Sequence, residues 1–343
     1  MAGDGHPEQP NNDPNGEPLV HRRNALARLS GLDHDPGMGF RRSLSSLVNL
    51  AVVSRLPVFL GPLPRLVFLG ACFGTLVGSP RAIATRASPP STGRPAVYGR
   101  EQVLLHTDVV ERLVDDQLAR LQKLKQRLDG YWGKKLEGKL VCYWVADLTA
   151  WPVAEIPQAA REQIEQRSAV TLTNRETLDD RVVSTKSVVY SSWETSNLLH
   201  EVVHAFCWQT FGRCGPDWYA EGMAELFGSE DEQLPGVHYF AWAIDYLRKD
   251  TAPPTPTEIV SGRMSDRALW QTYAHRWALC YLLSHHPRYS DRFQTFGSRL
   301  LRGDDADFLR DFADVRQSLA DDYRQFLRDV QTAYEFQRQA GNE

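Results

Sequence analysis

His200, Glu201 and His204 fall within residues 197–208 (NLLHEVVHAFCW), where apolar residues recur with a helical period. Side chains four apart lie one turn above each other on a helical face, so both imidazoles can reach one ion. Glu201 is rotated aside by about 100° per residue, which lets its carboxylate activate a water without binding the ion. A hydrolytic zinc site takes three protein ligands and keeps its fourth position for water, where that water becomes hydroxide-like and a substrate carbonyl is polarised. A third ligand is therefore required. Glu221 is the candidate, in 216–225 (PDWYAEGMAE), a second helical stretch that a tight turn over Gly212 to Pro216 can fold back on the first.

The pairing of HEVVH with WYAEGMAELF resembles the gluzincin metallopeptidases, the clan of thermolysin and the neutral zinc aminopeptidases. The form W-x-x-E-G-x-A is aminopeptidase-like, and the combination is similar to small bacterial peptidase MA-like families of unassigned substrate. The resemblance covers residues 194–228 strongly and 100–335 loosely. It implies a zinc-dependent hydrolase acting on a peptide or protein substrate, with one Zn2+ held by His200, His204 and Glu221. It makes Glu201 the general base and gives Glu225 the part of an acid that orients a ligand histidine. Aspartate often stands in that last position, and the gap before Glu221 is shorter than in the prototypes; both departures bear on Glu225 more than on Glu221. Such a site also needs a donor for the developing oxyanion. Tyr273 and His275, in 269–277 (LWQTYAHRW), are the candidates, and the resemblance favours Tyr273. His238, His285 and His286 read as surface or packing histidines, and the tryptophans as core.

These residues need elements to position them. The apolar spacing predicts a helix over 107–128, with Thr107 as N-cap and Gly130 just past its end. Strands are expected at 139–145, 169–173 and 187–192, the last as an edge along which an extended peptide could lie. Helices are expected at 194–211, 216–228, 236–249, 266–285, 290–302 and 306–336 with a break, and residues 251–257 (TAPPTPT) as a rigid loop. Strands first and helices later predict an α+β fold, zincin-like by resemblance: a small N-terminal sheet, an active-site helix, then a mainly helical part.

Four segments follow. Residues 1–42 read as a disordered N-terminal extension, the first 37 being polar and rich in Pro, Gly, Asn and Asp. Residues 43–84 read as a signal peptide or membrane-anchor region. There Arg65, the apolar run Leu66 to Val77 and Ala82-Ile83-Ala84 have the order basic, apolar, small, which predicts export to the cell envelope or beyond. The long segment before the run fits a start at Met38 or an extended signal; a lipoprotein box at Leu69 to Cys72 and an uncleaved anchor over Leu47 to Val77 are the competing readings, the anchor carrying Arg55, Arg65 and three prolines. Any membrane association would run through this region. Residues 85–97 read as a linker, and 98–343 as the metallopeptidase domain.

A net charge of −4 with no block of Lys and Arg disfavours nucleic acid as a partner. Of the five cysteines, Cys207 and Cys214 are the pair to test in an oxidising compartment; four buried free thiols are the alternative. A binding or scaffold protein with a structural zinc is the competing function. Such a site would be closed by a fourth ligand, Cys207 or Cys214, and would have no use for Glu201.

Overall fold

The computed structural model describes residues 51–52, 90–178, 181–195, 197–229, 237, 239–332 and 335. The predicted N-terminal extension, the apolar run with its signal or anchor readings, Cys72 and His238 lie outside the described residues.

The strands are β1 (Ala51–Val52), β2 (Ser91–Arg100), β3 (Val103–Val109), β4 (Leu140–Val145), β5 (Ala169–Leu178) and β6 (Arg181–Ser192). They form one mixed sheet in the order β1-β5-β6-β4-β3-β2, with β3, β4 and β6 parallel and β2 and β5 antiparallel to their neighbours. Parallel neighbours need long crossovers. Helix α1 (Glu111–Trp132) makes the first, between β3 and β4; α2 (Gln158–Glu165) and β5 lie in the second, between β4 and β6.

The period-two alternation of strands divides two apolar clusters. Val103, Leu105, Leu140, Cys142 and Val189 join the main core with α1 and α3 (Leu198–Phe211), whereas Val145, Leu172 and Tyr190 pack with Trp151, Ile156, Ala160 and Ile164 around α2. The central strands are apolar on both sides because both faces are covered.

The remainder is helical: α4 (Asp217–Ser229), α5 (Ala241–Lys249), α6 (Pro256–Val260), α7 (Leu269–His285), α8 (Ser290–Arg302), α9 (Phe308–Asp311) and α10 (Arg316–Asp329). Helix α4 packs between α3 and α7, and α10 closes over α5 and α7. The fold is thus mixed α and β, sheet first and helices after. Among the described residues no helix is long and apolar enough to cross a membrane.

Several expectations are corrected. The predicted helix over 107–128 begins only at Glu111 and runs to Trp132, capped by Gly133 in the left-handed conformation. Thr107 is no N-cap: it lies within β3, two residues before its end, its hydroxyl donating to the Trp144 carbonyl at 2.6 Å. The buried Asp108 carboxylate beside it accepts from the backbone N–H groups of Ala146 and Asp147. Residues with cap chemistry here satisfy the backbone where the strands end.

Ser91–Arg100, whose first seven residues were assigned to a linker, is an edge strand, and its polarity reflects exposure on both faces. Ser187 to Ser192 is not an edge, because β6 is paired on both sides by β5 and β4. Helix α2 was not anticipated, and Pro256 opens the short α6 inside the expected loop, with Thr255 and Glu258 forming a reciprocal cap.

Candidate metal centre

The site is built on α3 and α4. Both helices are apolar almost all round, as helices enclosed by other elements must be. Leu198, Val202, Val203, Ala205 and Phe206 of α3 are buried, as are Trp218, Tyr219, Met223, Ala224, Leu226 and Phe227 of α4. Gly212, at φ 72°, ends α3, and its N–H donates to the Trp208 carbonyl. A side chain there would be strained, which is why the chain can reverse so abruptly. Pro216 opens α4, its carbonyl accepting from the N–H groups of Tyr219 and Ala220.

This hairpin brings His200, His204 and Glu221 together in a buried cluster, their ligand atoms all within 4.8 Å of one another. His200 Nε2 lies 3.1 Å from His204 Nε2 and 3.3 Å from Glu221 Oε2, and His204 Nε2 lies 3.4 Å from that same oxygen. A tetrahedral ion with bonds of about 2.0–2.1 Å places neighbouring ligand atoms about 3.3–3.4 Å apart. Two imidazoles and a carboxylate at this spacing fit a zinc ion in donor type and in size.

Glu225, one turn beyond Glu221, places Oε1 3.1 Å from His200 Nδ1. A carboxylate only accepts, so Nδ1 carries the proton, and Nε2 is the nitrogen turned to the ligand cluster. Burial alone would lower the His200 pKa, but the hydrogen bonds and charges of Glu221 and Glu225 outweigh it and hold it well above the ordinary value. Burial likewise would raise Glu221, and the two histidines outweigh it and hold the carboxyl well below the carboxylate range. The carboxylates therefore create a strong preference for positive charge at Nε2, which a proton or a metal ion can supply.

Glu201 is half-buried and does not belong to the cluster of ligand atoms. Its backbone carbonyl accepts from the Thr171 hydroxyl at 2.8 Å, so β5 is tied to α3 at that residue. Nothing in the sequence marks Thr171, because strand register decides which residue of β5 meets α3.

Tyr273, on α7, stands beside the cluster with its ring centroid 6.2 Å from that of His200. His275 does not reach the site. It is wholly buried, with Nε2 3.0 Å from Asp250 Oδ2 and Nδ1 2.9 Å from the Tyr323 hydroxyl. Burial, reinforced by the charge of Arg267, lowers its pKa to about 4, so the Asp250 contact is a hydrogen bond from neutral imidazole. The ionic partner of Asp250 is Arg267, at 2.8 Å.

Cys207 and Cys214 are free and buried, and neither joins the ligand atoms. The Cys214 thiol donates to the His204 carbonyl at 3.5 Å. His285 lies at the far end of α7, where its Nδ1 contacts the Tyr281 carbonyl.

No family model and no curated protein matches this chain. The functional reading therefore rests on the geometry of the site.

Proposed function

We propose that this protein is a zinc-dependent hydrolase of gluzincin type, acting on peptide bonds. The observation that carries the reading is the triangle of His200, His204 and Glu221 donors with edges of 3.1–3.4 Å, which includes neither Glu201 nor a cysteine. A structural site is normally closed by a fourth protein ligand, whereas a catalytic site leaves one position for water. Among the described residues no fourth ligand joins the group, which favours turnover over a scaffold role.

His200, His204 and Glu221 would hold the ion, and Glu225 would keep the His200 ring in the tautomer that presents Nε2. When bound, zinc supplies Lewis acidity, making a water nucleophilic near neutral pH and polarising the substrate carbonyl. Glu201, next to a ligand but not itself one, takes the proton of the attacking water and delivers it to the leaving amine. Tyr273 donates to the oxygen that gains charge during attack. The sheet-plus-helix order and the α3–α4 hairpin accord with a zincin-like arrangement.

The test is Glu201→Gln in the full chain, assayed by zinc analysis together with a peptide-library cleavage screen. The variant should retain zinc and lose hydrolysis by about 10²–10⁴-fold, the usual contribution of a general base. Undiminished turnover would remove Glu201 from the mechanism. Zinc without cleavage by the wild type would return the site to a structural role.

A further inference from the structure

The proposed reaction uses none of the four buried thiols among the described residues, and two of them are carried by the ligand-bearing hairpin itself. Cys207 lies on α3 one turn beyond His204, and Cys214 lies in the connection to α4, seven residues before Glu221. Both are 4% exposed. The Cys214 thiol donates to the carbonyl of His204 at 3.5 Å, and in an α-helix that carbonyl points along the axis toward the turn that carries Cys207. Burial first, and then the neighbouring Cys207 thiol, push the Cys214 pKa up. Cys142 on β4 and Cys280 on α7 lie on other elements, so among the described residues Cys207 and Cys214 are the two thiols carried by this hairpin.

We propose that Cys207 and Cys214 form a redox couple whose disulfide clamps the α3–α4 hairpin and makes retention of the metal ion depend on oxidation state. The connection consists of few residues and contains two glycines at positive φ, Gly212 at 72° and Gly215 at 87°. That backbone allows the sharp reversal, which is held by the buried Cys214 and by a hydrogen bond from Arg175 to the Gly212 carbonyl at 2.8 Å. A covalent bond between Cys207 and Cys214 would fix the end of the histidine helix to the head of the glutamate helix. It would also remove the S–H donor from the His204 carbonyl, so the two redox states would differ at a ligand residue.

The chemistry is thiol–disulfide exchange with a low-molecular-weight disulfide. One protein thiolate attacks that disulfide, forming a mixed disulfide and expelling one thiolate. The second protein sulfur then attacks the mixed disulfide and expels the other. The protein loses two hydrogens, and the small disulfide is reduced to two thiols. Burial in the folded hairpin disfavours the thiolate, so exchange is limited by opening of the connection or occurs as the chain folds.

The full chain is equilibrated with glutathione disulfide or with reduced glutathione, quenched with acid, alkylated and digested with trypsin without reduction. Arg213 lies between the two cysteines, so the digest separates them unless sulfur joins them. A linked Cys207–Cys214 peptide is expected in the oxidised sample only. Zinc should pass to excess chelator at least tenfold more slowly from the oxidised protein, and a Cys207→Ser, Cys214→Ser variant should be indifferent to the oxidant.

Free or purely glutathionylated thiols at both positions would overturn the proposal, as would a linked peptide with unchanged zinc release. Should the double variant fail to fold, the two redox states of the wild type carry the comparison alone. A wild type that binds no zinc would refute the metal centre by itself. The clamp would then be judged on the linked peptide and on slower amide hydrogen exchange over residues 208–217.

Discussion

Glu225 and Tyr273 both neighbour the His200 ring, and their roles separate by what each variant loses. In the proposed zinc site Glu225 would act on the ion through His200 Nδ1, so Glu225→Ala should weaken zinc affinity by about 10–100-fold, measured by competition with a chromogenic chelator. Tyr273 is not among the ligand atoms, so Tyr273→Phe should leave zinc affinity unchanged while lowering kcat on a cleaved peptide by about 10²–10³-fold. A loss of metal in the tyrosine variant would assign it to holding the site together. His200 and His204 were legible because residues four apart share a helical face, Glu201 because it is rotated off that face, and Glu221 and Glu225 chiefly through the resemblance of their motif. Tyr273 and His275 were not separable in that way. They are two residues apart on α7, and only packing shows that one faces His200 while the other is sealed against Asp250 and Tyr323.

At the scale of elements, the ligand spacing depends on how closely helices approach. A Cβ added at Gly222, next to Glu221, would lie 2.5 Å from Cys280 Sγ and 2.8 Å from the Arg276 carbonyl oxygen, so α4 and α7 meet there without room for a side chain. Because one obstacle is backbone, Gly222→Ala cannot be relieved by a rotamer change. It should destabilise the fold by about 1–3 kcal/mol in denaturant titrations and weaken zinc binding in parallel. At Gly228 the same addition would meet the His200 backbone nitrogen at 2.9 Å, so Gly228→Ala should displace the start of α3 and lower metal affinity.

Helical elements were largely legible because their apolar faces or long apolar runs stand out. Strand calculus was less direct: β2 looks like a linker because an exposed edge carries polar residues, and the end of β3 looks like a helix cap because Thr107 and Asp108 serve both purposes. The length of β6 was hidden for another reason, since its outer half pairs with β5 in a stretch of mainly polar and charged residues.

For the whole molecule, the network around His275 joins α7 to α10 and to the end of α5. Its folded pKa of about 4 lies below the ordinary 6.5. Between those values the unfolded chain takes up a proton that the folded protein refuses, so stability is fully present above about pH 6.5 and declines as pH falls toward 4. The shift corresponds to a differential of the order of 3 kcal/mol. Urea titrations of wild type and His275→Gln between pH 7.5 and 4.5 should therefore converge toward acid, the wild type losing its advantage. His200, whose pKa is raised, works in the opposite sense: without metal its contribution is present at low pH and lost as pH rises through the folded value. Comparing the two proteins under chelation cancels that common term, and parallel curves would deny His275 its neutral state.

The sequence by itself determined the chemistry that could be present: the donor types, their helical intervals, and the order of sheet before helices all follow from local periodicity. Only the tertiary structure decided which of those groups share a point in space. The 3.3 Å and 3.4 Å separations of Glu221 from the two histidines depend on a left-handed glycine at 212 and on the closeness of α4 to α7. The interior place of β6, the tie from Thr171 to Glu201, and the meeting of Cys207 with Cys214 are long-range or across-turn contacts. Such contacts are fixed by strand register and helix packing, which sum over many residues and leave no local pattern to read.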